Sequence, residues 1–136
     1  MCEGVVYEHD GREVRIAFPA SGARLPVARR HGDPALLPWG RRRNESGALP
    51  FGGWAHLDAI KAGRWSHWQP RPVRLSLRAF METDIQGEGY WFDLNKGQWV
   101  QGLIAREGWE QRVYVVTITP EMPEALHQRW PRIITA

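Results

Sequence analysis

One cysteine, two lysines and no long apolar run mark this 136-residue chain by what it lacks. A single thiol, Cys2, excludes an internal disulfide and a thiolate-rich zinc site, so a reducing, cytoplasmic home is the simpler expectation. No stretch approaches the roughly 20 apolar residues that span a bilayer, and no basic stretch leads into an apolar one at the start. Neither a membrane nor a secretory route is therefore expected. The chain also has no Gly-rich phosphate loop, no HExxH zinc pair and no GxSxG elbow. Its histidines, His9, His31, His56, His67 and His127, have no metal-ligand spacing. Nucleotide hydrolysis and metalloenzyme chemistry are thus disfavoured, and no metal or cofactor is expected.

What is present is a globular composition with an arginine bias. Hydrophobic residues make up 43% and charged ones 24%, which suits one domain over residues 1–136. The net charge is only +3. Arg24, Arg29, Arg30, Arg41, Arg42 and Arg43 nevertheless crowd the first third, and a guanidinium fork matches phosphate oxygens. A solvated surface explains such a cluster equally well. The eight tryptophans add to the signal where Trp39 stands beside the arginines in PWGRRR, since stacking next to phosphate contacts is how single strands are held.

Periodicity predicts a β-rich α+β domain with mostly antiparallel strands and a few short helices. GVVYEHDGREVRIAF reads as a hairpin about Asp10-Gly11, because tight turns require positive φ. Residues 27–39 are ambiguous, and RRRNESGALPFGG reads as a loop. Trp54 to Ala62 has helical spacing and stops at Gly63. Val73 to Phe80 alternates as one half-buried strand. YWFDLNKGQWVQGLIA reads as a hairpin turning at Asn95-Lys96-Gly97, and Arg112 to Thr119 as a strand covered on both faces. Thr119 caps a predicted helix that starts at Pro120, runs through His127 and ends at Pro131.

Four separated segments resemble the SOS-response-associated peptidase family. TITPEMPEALHQRWPRII resembles its strand leading to a His-x-Arg-x-Pro helix end, matched here by His127, Arg129 and Pro131. RPVRLSLRAFME is similar to the strand that ends in an aromatic residue and an acid, placing Glu82 on that acid. LPVARRHGDPALLPWG matches at Trp39 and Gly40, and the chain begins Met-Cys. It departs where Glu3 and Gly4 replace the family's Gly-Arg, and where an Asn-Ala-Arg block is absent, leaving Asn44 as the nearest asparagine.

The resemblance implies a barrel-like fold, a monomer, and covalent capture of abasic sites in single-stranded DNA through Cys2 once Met1 is removed. An exposed N-terminal cysteine offers an amine of pKa about 7.7–8.0 and a thiol of about 8.5 on adjacent carbons. The amine condenses with the open-sugar aldehyde to a Schiff base, and sulfur closes a thiazolidine. By the same resemblance Glu82 would handle the proton of the amine and His127 that of the sugar oxygen. Asn44 would orient Cys2, and Trp39, Arg41, Arg42, Arg43 and Arg129 would hold the strand. Taken singly, each residue has a plainer reading: Cys2 as packing, Glu82 as a solvated strand end, His127 as a helix-end cation and Trp39 as core. Two other functions fit the same residues, a non-catalytic single-stranded DNA-binding module and a cysteine peptidase.

Overall fold

The computed structural model describes residues 2–120 and 129–136. The chain opens on the hairpin that Asp10-Gly11 dictates: β1 (Gly4–His9) pairs antiparallel with β2 (Arg12–Ala17), with Asp10 at φ 52° and Gly11 at φ 75°. β3 (Arg24–Val27) and β4 (Ala35–Pro38) form the next hairpin. There follow β5 (Trp54–His56), the short helix α1 (Leu57–Lys61) and a 3-10 turn at Ser66–Trp68. The remaining strands are β6 (Arg71–Leu75), β7 (Ala79–Thr83), β8 (Gly89–Asp93), β9 (Gln98–Glu107), β10 (Glu110–Ile118), β11 (Trp130–Pro131) and β12 (Ile133–Thr135).

These strands make two sheets. One has the order β2-β1-β7-β8; the other runs β11-β10-β9-β6-β3-β4, with β12 added to β9 and β5 to β10. The β-rich, mostly antiparallel reading therefore stands, with β5 on β10 as a parallel pair. A closed barrel does not form: both sheets are open, although Trp39, just past β4, makes a single parallel bridge to Val113 of β10.

Three local expectations are corrected by long-range pairing. The helix expected over Trp54 to Ala62 begins only at Leu57, because Trp54, Ala55 and His56 are captured as a strand beside Val115, Val116 and Thr117. The single strand expected over Val73 to Phe80 is two. Between them the chain passes from one sheet to the other, with Ser76 N–H donating to Pro26 and Arg78 N–H to Val6. The hairpin expected over Tyr90 to Ala105 is instead a crossover, since β8 pairs with β7 while β9 pairs with β6, β10 and β12. The strand expected over Arg112 to Thr119 is β10, buried without a break from Val113 to Thr117. The C-terminal helix expected from Pro120 falls on positions outside the described residues.

The two sheets share one apolar core. Val5, Tyr7 and Phe80 from the smaller sheet pack with Leu25, Leu75, Val100 and Val113 from the larger. A second cluster on the far face of β9 and β10 gathers Leu103, Tyr114 and Val116 under Leu49 and Trp65. Cys2 belongs to the first cluster.

Candidate functional site

Pairing of β1 with β7 brings the cysteine and the acid together. Gly4 lies opposite Met81, and Glu3 N–H donates to the Met81 carbonyl at 3.1 Å, so the register runs on toward Cys2 and Glu82. Both side chains are fully buried. Alternation along β7 turns Phe80 and Glu82 to the core side, which is why this strand-end carboxylate is not solvated. Burial pushes the Cys2 thiol far above its ordinary range, and the neighbouring Glu82 charge raises it further. The thiol is thus held neutral, and it makes a weak S–H donation to the Gly4 carbonyl at 3.7 Å.

The backbone around Cys2 is fixed from three sides. Trp54 Nε1 donates to the Cys2 carbonyl at 2.7 Å, Phe18 N–H donates to the Glu3 carbonyl at 2.9 Å, and Met81 accepts from Glu3 as above. Trp54 is itself set by packing: its ring lies 4.8 Å from Phe18 and 6.3 Å from Trp39, while Phe18 and Trp39 are 5.5 Å apart. Such aromatic pairs contribute roughly 0.5–1.5 kcal/mol each beyond burial. Trp39 Nε1 donates to the Gly53 carbonyl at 3.0 Å, anchoring the residue before Trp54. A side chain at Gly53 would not fit, since a Cβ there would stand 2.6 Å from Phe18 and 2.7 Å from Trp39 Nε1.

These contacts revise two expected roles. Asn44 is exposed in the loop after β4 and, among the described residues, makes no hydrogen bond to Cys2; the orienting contact comes from Trp54. Trp39 is fully buried, so its ring offers no face to a base and serves to position Gly53 and Trp54. Trp54 was beyond sequence reasoning because its partner is 52 positions away, and the one local signal, helical spacing, pointed elsewhere. On the same strand, His56 Nδ1 lies 3.0 Å from the Thr117 carbonyl and Nε2 lies 3.2 Å from Thr119 Oγ1. Because alternate residues of a strand share a face, His56 is on Trp54's side of β5, a histidine the sequence reading did not connect with Cys2.

The basic loop divides into scaffold and surface. Arg42 is only 8% exposed and donates to Phe18 and Trp39 carbonyls, both at 2.7 Å, and to Glu45 at 3.4 Å. It is therefore committed to structure rather than to a strand of DNA. Arg112 repeats the pattern, bridging Glu110 at 2.7 Å and the Gly40 carbonyl at 2.9 Å. Burial alone would raise the Glu110 carboxyl, but N–H donation from Ala48 and Leu49 and the Arg112 guanidinium lower it below the usual range; Glu45 is lowered in the same way by Arg42 and Arg112. Arg43 is exposed, whereas Arg41 is half-buried and donates to the Glu45 and Leu49 carbonyls at 3.1 and 2.9 Å; the guanidinium carbons of Arg41 and Arg43 lie 4.3 and 5.1 Å from the ring centre of Phe51, which is 47% exposed. Together with Phe18, Arg42 and Asn44 they line a cleft of about 610 Å³ that has no carboxylate in its wall.

Arg129 is half-buried directly before β11. Its neighbour Trp130 packs 5.3 Å from Phe80 and 5.0 Å from Phe92, so this end of β11 sits beside the strand that carries Glu82. His127 lies outside the described residues. Among those described, no group of three or more His, Cys, Asp or Glu side chains is arranged to hold a metal ion, and no helix is long and apolar enough to cross a membrane. No family model, curated protein or solved structure matches this chain.

Proposed function

We propose that the chain captures abasic sites in single-stranded DNA by a covalent crosslink through Cys2, after Met1 has been removed. The observation that carries this reading is the placement of Cys2 beside Glu82, both fully buried, on a backbone held by Trp54, Phe18 and Met81. The α-amine attacks the sugar aldehyde and water leaves, forming a Schiff base. The sulfur then adds to the imine carbon, and the thiol proton ends on nitrogen. Because the thiolate is the nucleophile, the proton leaves sulfur for that attack and is returned to the nitrogen after it. Glu82 would pass protons between them. His127 retains the role the resemblance implies, proton transfer at the sugar oxygen.

The strand itself would lie along the cleft at Arg41, Arg43 and Phe51, where two guanidinium groups and an exposed ring stand without an opposing carboxylate.

The burial of the Cys2 thiol favours a second reading, a non-catalytic module that binds single strands by the same cleft. One experiment separates them. Protein of verified mass lacking Met1 is incubated with an oligonucleotide holding one abasic site. Capture gives a denaturation-stable adduct lost in Cys2→Ala and slowed in Glu82→Gln. Salt-sensitive binding with no adduct supports the module instead.

A further inference from the structure

A second cleft, at the other end of the larger sheet, carries a charge arrangement that nothing described so far uses. It has a volume of about 500 Å³, within the range of small-molecule sites. Its floor is Val27, Val73 and Ile104, side chains that belong to or pack on the main core. Its rim carries Arg29, Arg30 and Arg71. No Asp or Glu lines it, and among the described residues none of the three guanidinium groups is in an ion pair. By contrast Arg42, Arg78 and Arg112 each have a carboxylate partner.

Strand geometry explains why the arginines meet there. Arg71 opens β6 opposite Ile104, and Arg29 and Arg30 follow β3, which runs antiparallel to β6 with Val27 opposite Leu75 and Ala28 N–H donating to the Arg74 carbonyl, so they lead toward the start of β6. Arg29 is held in place by Nε donation to the Asp33 carbonyl at 2.6 Å. Three like charges around an apolar hollow repel one another unless an anion sits among them. An ion alone would leave the floor unfilled, and a neutral apolar molecule would leave the charges unmatched.

We propose that this cleft binds a small organic carboxylate with an apolar body, its head taken by the arginine forks and its body laid on Val27, Val73 and Ile104. The site is separate from Cys2. Gln111, which also lines the cleft, is four residues along β10 from Val115, the partner of Trp54, a span of roughly 13 Å.

Isothermal titration of the full chain with octanoate tests it. The expected result is one site per chain, at least ten-fold weaker with octanol or with inorganic phosphate, and at least ten-fold weaker for octanoate in Arg71→Gln. Equal binding of octanoate and octanol would overturn the proposal, as would Arg71→Gln binding octanoate like the parent. So would competition in which an oligothymidylate displaces octanoate and Arg71→Gln weakens both alike, because the arginines would then be part of a nucleic-acid surface. Absence of octanoate binding overturns it outright. None of these outcomes depends on whether Cys2 captures abasic DNA.

Discussion

Replacing Trp54 with phenylalanine removes one N–H and leaves a ring among Phe18 and Trp39. The lost contact is the 2.7 Å bond to the Cys2 carbonyl, which is part-buried and on a backbone whose neighbouring peptide groups are already engaged. A hydrogen bond of this kind contributes a net of about 0.5–1.5 kcal/mol, and an abandoned buried carbonyl pushes the loss higher, so we expect about 1–2 kcal/mol. For a chain of this size that is a melting shift of roughly 3–6 °C. Trp54→Ala, which also empties the ring's place, should cost about 3–5 kcal/mol. Urea unfolding followed by tryptophan fluorescence measures both. The functional effect should be larger than the stability effect suggests, because a reacting group that drifts by about 1 Å loses much of its advantage. At saturating abasic oligonucleotide, Trp54→Phe should therefore capture about ten-fold more slowly, with oligonucleotide affinity unchanged. A variant as stable as the parent and equally fast would show that this bond positions nothing.

Other outcomes follow from the same contacts. Arg42→Ala should lower the melting temperature, since it strips carbonyls of Phe18 and Trp39 of their donor, whereas Arg43→Ala should leave stability intact and weaken single-strand binding in a salt-dependent assay. Gly53→Ala should be among the most destabilising single changes by thermal melt, because its Cβ has no room beside Phe18 and Trp39. The lowered carboxyls of Glu45 and Glu110 add stability that is present above the unfolded value of about 4.3 and is lost as pH falls through the folded values. In melts across pH, Glu110→Gln should flatten that acid limb. The raised Cys2 thiol has the opposite sign: its contribution is complete below about 8.5 and falls as pH climbs, so Cys2→Ala should flatten the alkaline limb.

Local chemistry was the legible part of the fold. Asp10-Gly11 encodes its turn by itself, and the β-branched run of β10 announces a strand covered on both faces. The passage between sheets at Ser76 to Arg78 was hidden because every apolar residue of the apparent alternation is covered, Val73 in part and Leu75, Leu77 and Ala79 fully, so the pattern shows no gap although the chain changes sheets within it. Trp54 to His56 could not be separated from the helix after it, because what makes them a strand is a parallel neighbour some 60 residues downstream. At the site, proximity of Cys2 and Glu82 was reachable through motif resemblance, but burial was not. Trp39 shows why: the Trp-Arg adjacency that suggests stacking on DNA is here a tryptophan packed on Phe18 with Arg42 over the same phenylalanine ring, at 4.2 Å.

The most direct measurement is the intact mass of the product formed with a single-stranded oligonucleotide bearing one abasic site. Capture by amine and thiol together predicts the mass of the chain without Met1 plus that of the oligonucleotide, less one water, and no such species from Cys2→Ala. Protein verified to begin at Cys2 that leaves the oligonucleotide unmodified would contradict the account.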